Sequence, residues 1–300
     1  KFNADNNFDL AIANSGSGNV SILIGNGNGT FAAPVNFAAG VNPISIDSAD
    51  LNGDGKADLA IANYGGFFYG TVSILLGNGS GGFTLGTPVR TRTQPSFVAV
   101  TNFNGDGNQD LVVASFGADS VSTFAGTGTG SFQLIQNIAT GAGPVAIEVT
   151  NLNGDAFPDL AVANYNSDSV TYCSGNSGGT FGSCQINGSS GGTNPIALTS
   201  GDYTNTGVRT IATALSGSNA VGGFANTIAV GLFPNAIETA DFNGDGKPDM
   251  VTANSGSNDI SVLINSCVAA KGLLYDYNGD RKSDFSVFRP SSTSYFIQSV

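Results

Sequence analysis

A short acidic segment recurs along the chain, and its clearest copy reads DLNGDGKADLAIAN from Asp50 to Asn63. Counted from the first Asp, side-chain oxygens stand at positions 1, 3, 5 and 9, and position 7 can offer its main-chain carbonyl. Alternate residues of a tight loop can point at one centre, and glycine permits the bend. Carboxylate and amide oxygens suit Ca²⁺. The spacing therefore predicts a calcium site at Asp50, Asn52, Asp54, Lys56 and Asp58.

Seven copies of this segment, called acidic loops one to seven, begin near residues 1, 50, 102, 151, 202, 241 and 276. Two more copies begin with Asp: Asp241, Asn243, Asp245, Lys247, Asp249, and Asp276, Asn278, Asp280, Lys282, Asp284. Two begin with Asn, carry one negative charge fewer and are expected to bind more weakly: Asn102, Asn104, Asp106, Asn108, Asp110, and Asn151, Asn153, Asp155, Phe157, Asp159.

The first and fifth loops deviate from the pattern. Loop five keeps Asp202 but has Thr204, Thr206 and Thr210 at the other positions, so we expect it to hold no ion. Loop one has Lys1 in the first position, followed by Asn3, Asp5 and Asp9, so its site is either partial or completed from outside the chain. We expect about five or six bound Ca²⁺ ions, whose charge would offset the net charge of −12.

Asp and Asn also stabilise turns without a metal, but that alternative does not explain oxygens that recur at the same four positions. Catalysis is not expected. The chain has no histidine, so it lacks a Ser-His-Asp or Cys-His arrangement, and most of its carboxylates lie in the acidic loops. Its two glutamates, Glu148 and Glu238, occupy like positions in two repeats, which favours an architectural role.

The repeats also predict the elements that position these loops. Each fuller repeat contains an inner strand, the acidic loop, a strand such as DLAIAN, a turn, a strand such as TVSILLGN, a Gly-rich hairpin and a last strand. Four antiparallel strands repeated radially make a β-propeller, which we expect to be seven-bladed, with six blades as the alternative. Residues 1–300 form one domain in this interpretation; the alternative is a propeller over 1–267 and a second repeat domain beginning at 268–300. A β-solenoid does not match four hairpin-linked strands per repeat.

The acidic loop D-x-N-G-D-G-x-x-D-L is accompanied by a hairpin motif, GNGNGTF from Gly25, GNGSGGF from Gly77 and GTGTGSF from Gly126. Together they resemble the FG-GAP or VCBS repeat family, which includes the integrin α-subunit propeller and many bacterial surface proteins. The resemblance implies a calcium-binding propeller, extracellular or at the cell surface, that serves adhesion or surface assembly through protein–protein contacts. It is more specific for fold than for function. A carbohydrate-binding module of a larger secreted enzyme and a polysaccharide lyase are the alternatives.

Aromatic side chains gather in the turns that follow the DLAIAN-type strands. In the second repeat the turn lengthens to YGGFFYG. Such rings can stack on a sugar or anchor a protein ligand, whereas packing between blades is the structural alternative. The absence of Trp disfavours carbohydrate. The candidate ligand-binding residues are Tyr64, Phe67, Phe68, Tyr69, Phe116 and Tyr165.

The remaining features concern partners and chain ends. Ten unclustered basic residues make nucleic acid an unsuitable partner, and no apolar run is long enough for a membrane span. Cys173 and Cys184 flank a turn and either form a disulfide or remain buried thiols. The start KFNADNN predicts a processed or partial chain. Because the first and last repeats are short of strands, we expect a neighbouring copy or the parent protein to supply them; ragged terminal blades are the alternative.

Overall fold

The computed structural model describes residues 1–66, 68–189, 191–224 and 226–266, and the backbone of 284–288 and 296–299. In this part of the chain every sheet is antiparallel, and the only helical elements are two 3₁₀ turns, Phe116–Ala118 and Tyr165–Ser167. The residues divide into two compact units, 1–147 with 176–180, and 148–175 with the residues from 181 onward. Each unit is described by itself.

The first unit contains three sheets. The first has three strands, β1 (Leu10–Asn14), β2 (Asn19–Leu23) and β3 (Val35–Ala38). The second has β4 (Pro43–Ala49), β5 (Asp58–Asn63), β6 (Gly70–Gly77), β7 (Phe83–Leu85) and β8 (Val89–Thr91), and both β7 and β8 pair with β6. The third has β9 (Pro95–Thr101), β10 (Asp110–Ser115), β11 (Ser120–Gly126) and β12 (Phe132–Ala139).

The remaining sheets are built from later strands. The fourth has β13 (Pro144–Thr150), β14 (Asp159–Asn164), β15 (Ser169–Gly175) and β16 (Phe181–Gly188). The fifth has β17 (Pro195–Gly201), β18 (Thr210–Leu215), β19 (Ala220–Gly222) and β20 (Ile228–Ala229). The sixth has β21 (Pro234–Ala240), β22 (Asp249–Asn254), β23 (Asp259–Asn265), β24 (Asp284–Phe288) and β25 (Phe296–Ser299).

The all-β architecture and the strand order within each repeat are confirmed, whereas seven blades are not. The described residues form six sheets. β24 and β25, which begin at the end of the predicted seventh loop, pair with β23 and extend the sixth sheet. The seventh-loop residues Asp276, Asn278, Asp280 and Lys282 lie outside the described residues, and Asp284 is described only in its backbone.

Strand β5 is apolar on both faces because sheets cover it on both sides. In β5, Leu59 and Ile61 pack with side chains of the first sheet, whereas Ala60 and Ala62 pack with side chains of the third. Alanine on one face lets the sheets approach closely, and each buried Leu or Ile side chain contributes about 2 kcal/mol. In the three-stranded first sheet, Leu10 and Ile12 of β1 stay 41% and 43% exposed. The expected donor of a fourth strand to this sheet stays a prediction.

The Gly-rich hairpins pack against acidic loops of the preceding sheet. The N–H of Gly130 donates to the carbonyl of Leu51 at 2.9 Å, and that of Gly81 donates to the carbonyl of Phe2 at 2.8 Å. Gly130 has a φ of +75°, which a side chain would disfavour. The hairpin motif therefore links one repeat to the loop of the repeat before it.

Candidate metal loops and aromatic patch

The Asp at position 9 of the acidic loop links two distant segments of its own sheet. Asp58 Oδ2 accepts a hydrogen bond from the N–H of Leu51 at 3.0 Å, and Oδ1 accepts one from the N–H of Gly77 at 2.7 Å. Burial raises the pKa of the Asp58 carboxyl. Four other loops repeat both bonds, through Asp9 to Phe2 and Gly25, Asp110 to Phe103 and Gly126, Asp159 to Leu152 and Gly175, and Asp249 to Phe242 and Asn265.

Sequence reasoning missed this anchoring role. The signal was the glycine that opens most of the hairpins. At Gly77 an added Cβ would overlap the carbonyl oxygen of Ala57, so glycine suits this position of the second repeat, although Asn265 makes the equivalent bond in the sixth. Each carboxylate oxygen can accept more than one bond, which leaves Asp58 capacity for a cation as well.

The Asp at position 1 caps the loop. Asp50 Oδ1 accepts from the N–H of Gly53 at 2.8 Å, and Oδ2 accepts from that of Gly55 at 2.8 Å. Asp241 makes the same bonds in loop six, where main-chain donors, foremost Gly246, lower the pKa of its carboxyl. In loop five Asp202 accepts from Thr206 at 3.0 Å and from Gly207 at 2.7 Å. A loop with a single carboxylate therefore forms similar capping hydrogen bonds to loops two and six, so the loop conformation is not evidence for a bound ion.

The carboxylate at position 5 contacts a lysine ammonium group or an asparagine amide of its own loop. Lys56 Nζ lies 3.1 Å from Asp54 Oδ2 and lowers the pKa of that carboxyl; Lys247 lies 3.5 Å from Asp245. In the weaker loops an amide at position 3 takes this place. Asn104 Nδ2 donates to Asp106 at 3.1 Å, and Asn153 Nδ2 to Asp155 at 2.9 Å.

Loop one follows the pattern of these weaker loops. Asn3 Nδ2 donates to Asp5 at 2.8 Å, and this bond is the main cause that lowers the pKa of the Asp5 carboxyl. At position 7 the N–H groups of Lys56, Asn108, Phe157 and Lys247 donate to the Asp at position 5. Their carbonyls are the predicted ligand atoms.

The donor atoms of the acidic loops suit calcium, but the spacing of the described acidic side chains does not form a metal site. In the described part of the chain no three acidic, His or Cys side chains gather closely enough to hold a metal ion. The donors are all oxygens, however, and the predicted set of loop two also draws on the Asn52 amide and the Lys56 carbonyl. Beyond burial, the charges of Asp54 and Asp50 raise the pKa of Asp58. This repulsion is what a bound cation would relieve. The calcium ligand sets stay a prediction.

The second repeat carries an exposed aromatic patch at the end of β5 opposite its acidic loop. Phe68 is 91% exposed and Tyr69 is 50% exposed. Both line a cleft of about 350 Å³ with Val41, Gly65, Gly66 and Thr71. The guanidinium carbon of Arg90 lies 4.0 Å from the centroid of the Tyr69 ring. We call Phe68, Tyr69 and Arg90 the aromatic patch; Phe67 lies outside the described residues.

The other aromatic candidates are half-buried. The rings of Tyr64 and Phe116 lie 6.1 Å apart between centroids, at an interplanar angle of 52°. This contact joins the second and third repeats and supports the packing alternative for the pair. Tyr165 begins a 3₁₀ turn, and its carbonyl accepts a bond from Asn194 Nδ2 at 3.3 Å. Tyr165 belongs to the second unit, which is described by itself.

A polar cluster in the second unit lies beside loop five, where Thr210 stands in place of the anchoring Asp. Arg209 donates from Nη2 to the carbonyl of Ser200 at 2.7 Å and from Nε to Ser200 Oγ at 3.0 Å. Ser200 Oγ in turn donates to Glu148 Oε1 at 2.6 Å. Burial raises the pKa of Glu148, and nearby it raises the pKa of Tyr203 to about 12. The signal in the sequence was the Arg directly before Thr210.

Cys173 and Cys184 form a disulfide between β15 and β16, with an S–S distance of 2.01 Å. The alternative of two free thiols is therefore wrong. The bond closes a loop with a sequence separation of 11. None of the helical elements in the described ranges is long and apolar enough to cross a membrane.

Comparisons with known proteins agree on the repeat and the fold. The model of the FG-GAP-like repeat matches residues 1–61 and 102–162, and that of the FG-GAP repeat matches 42–82 and 233–263, together more than half of the chain. No curated protein matches significantly.

Solved structures resemble the chain at low sequence identity. A protein from Lactobacillus plantarum has a TM-score of 0.63 at 15% identity, covering 89% of this chain and 81% of its own. A functionally unknown protein from Desulfotomaculum acetoxidans has 0.59 at 15%, covering 96% and 95%. BBS1N, in a complex with ARL6DN, has 0.56 at 15%, covering 94% and 85%. These similarities establish the β-propeller type of fold alone.

Proposed function

We infer that this chain, which belongs to the FG-GAP repeat family, is a non-catalytic β-propeller that works by binding another protein. The observation that carries the inference is the side chain of Phe68, 91% exposed beside an open cleft. An aromatic ring held in water forgoes roughly 1.5–3 kcal/mol of burial free energy. Exposed aromatic and Arg side chains grouped around a cleft are typical of interface hot spots.

Two further observations support a role in binding rather than catalysis. Most described carboxylates lie in the acidic loops and accept main-chain hydrogen bonds there, as Asp58 and Asp50 do. One structural neighbour, BBS1N, is described in a complex with another protein. FG-GAP propellers offer a rigid scaffold on which turns such as 64–69 can be varied.

We propose that the complete acidic loops bind Ca²⁺ and that the ion stabilises the propeller. The oxygen donor set and the repulsion that Asp50 and Asp54 exert on Asp58 support the proposal. Loop two would hold the ion through Asp50, Asn52, Asp54, Asp58 and the carbonyl of Lys56. The weaker loops three and four would hold it less tightly.

We also propose an extracellular or cell-surface location, with adhesion or surface assembly as the role. The disulfide between Cys173 and Cys184 supports this location, because such bonds persist mainly in oxidising compartments. The partner is a second protein or another copy of this chain.

The test compares partner capture by three proteins that differ at exposed apolar side chains. Immobilised wild type, the double variant Phe68→Ser with Tyr69→Ser, and the control Ile186→Ser are incubated with extracellular proteins from the source cells. Ile186 is also exposed, at 54%, but lies in the fourth sheet. We expect a defined protein to be retained by wild type and control and lost by the double variant. Equal retention by all three would refute the assignment of the patch.

A further inference from the structure

We propose that the aromatic patch binds an acidic peptide segment of the partner, with carboxylates on Arg90 and Arg92 and an apolar side chain beside Phe68. The inference rests on the proposed protein-binding function and adds the chemistry of the ligand. It is based on Arg90 and Arg92, two cations without an ion pair among the described residues, on a protein of negative net charge.

Arg90 and Arg92 lack the acidic partners that Lys56 and Lys247 have. In the described part of the chain two ion pairs occur, Lys56 with Asp54 and Lys247 with Asp245. Neither arginine has a described carboxylate within the 4.0 Å of an ion pair, and both are exposed. On a chain of net charge −12, two unpaired guanidinium groups two residues apart in the sequence create a local positive site that favours a negatively charged ligand.

Arg90 is held in place for such a contact. It lies in β8 directly opposite Thr71 of β6, and Thr71 lines the cleft beside Phe68. Its contact with the Tyr69 ring restricts the side chain. A planar guanidinium so restricted can bind a carboxylate through two parallel hydrogen bonds.

A second cleft adjoins Arg90 and extends the surface. It has a volume of about 280 Å³, and its lining includes Val89, Phe124, Phe132 and Leu134. Leu134 is 55% exposed. Arg90 thus lines the second cleft and lies opposite Thr71, which lines the first. This arrangement matches an extended chain whose side chains alternate between apolar and acidic.

The linings favour a peptide over an acidic sugar. The first cleft offers few hydrogen-bonding side chains, chiefly Thr71 and Tyr69, and the second offers Thr87 and Ser131. A sugar ring brings several hydroxyl groups, and each loses free energy if it is buried without a partner. An apolar side chain has no such requirement, so a peptide fits these recesses better.

The test measures binding of labelled model peptides by fluorescence anisotropy. The probes are the pentapeptides EFEVE, QFQVQ and KFKVK, and polygalacturonate serves as the acidic glycan. We expect EFEVE to bind wild type at least about tenfold more tightly than QFQVQ, with an affinity that falls as salt rises. KFKVK should not bind. The double variant Arg90→Gln with Arg92→Gln should lose the preference for EFEVE, whereas Lys1→Gln, which removes an exposed cation of the first repeat, should keep it.

The outcomes separate this inference from the proposed function. Equal binding of EFEVE to wild type and the arginine variant overturns the inference, as does a preference for polygalacturonate that depends on Arg90. If partner capture needs Phe68 but the peptides are not distinguished by charge, the protein-binding function stands and the acidic ligand is wrong. If capture ignores Phe68, both fall. Arg90→Lys, which keeps the charge, should retain only part of the affinity.

Discussion

The carboxylate of Asp58 holds the N–H of Gly77, 19 residues away, by a hydrogen bond of 2.7 Å. Its other oxygen holds the N–H of Leu51 at the start of the same acidic loop. One buried side chain thus joins the loop to the end of β6. Its loss would leave two buried main-chain donors without an acceptor.

Replacement of Asp58 by Ala should therefore destabilise the second repeat even in chelator. Hydrogen bonds to a buried charged group are each worth roughly 1.5–3 kcal/mol, so we expect a loss of about 3 kcal/mol. Hydrogen exchange of the β5 and β6 amides in EDTA measures the local change. The control is Asp54→Ala, whose carboxylate is exposed and should matter little without calcium. Equal protection in both variants would show that the anchor is unimportant.

If the complete acidic loops bind calcium, a substitution should lower the number of bound ions only where its loop holds an ion. By native mass spectrometry we expect about five or six Ca²⁺ ions per wild-type chain, one fewer in Asp54→Ala and no change in Asp202→Ala. Chelation should lower the melting temperature, because the carboxylates of loop two repel one another without a cation. A melting curve that is insensitive to EDTA would contradict the calcium proposal.

Glu148 should make stability depend on pH. Burial raises its pKa in the folded state above the ordinary 4.5, so the folded protein holds this proton more tightly than the unfolded chain. The contribution of protonated Glu148 to the free energy of unfolding is therefore fully present below pH 4.5, and it is lost as the pH rises through the raised pKa. The Glu148→Gln variant has no titratable group at this position, so its stability should not show this loss. Denaturation midpoints of both proteins over the acidic range supply the measurement, and a difference that is constant with pH would be inconsistent with the titration.

The disulfide between Cys173 and Cys184 should stabilise the fourth sheet. Closing a loop with a separation of 11 residues restricts the unfolded chain by about 3 kcal/mol. Reduction should lower the unfolding midpoint of wild type and leave a double Cys→Ser variant at 173 and 184 unaffected. A midpoint that stays constant when the thiols are shown to be reduced would contradict this expectation.

The aromatic residues show where prediction from sequence reached its limit. That Tyr64 and Phe116 occupy the same position in successive repeats is visible in the sequence, but their ring contact is not. Likewise Arg90 lies 21 positions after Tyr69 in the printed sequence, and only the pairing of β8 with β6 brings it onto that ring. Contacts between distant segments therefore decided which of these aromatic side chains are packed and which are exposed.

Local spacing alone determined the all-β class, the repeat, the acidic loops and their hairpins, because strand alternation, glycine turns and Asx-type loops depend on neighbours a few residues apart. Tertiary structure decided which carboxylates anchor the main chain, as Asp58 does, and which pair with a lysine, as Asp54 does. It also placed β24 and β25 in the sixth sheet. These outcomes depend on strand register and on contacts between distant segments, whose geometry is set only when the sheets pack.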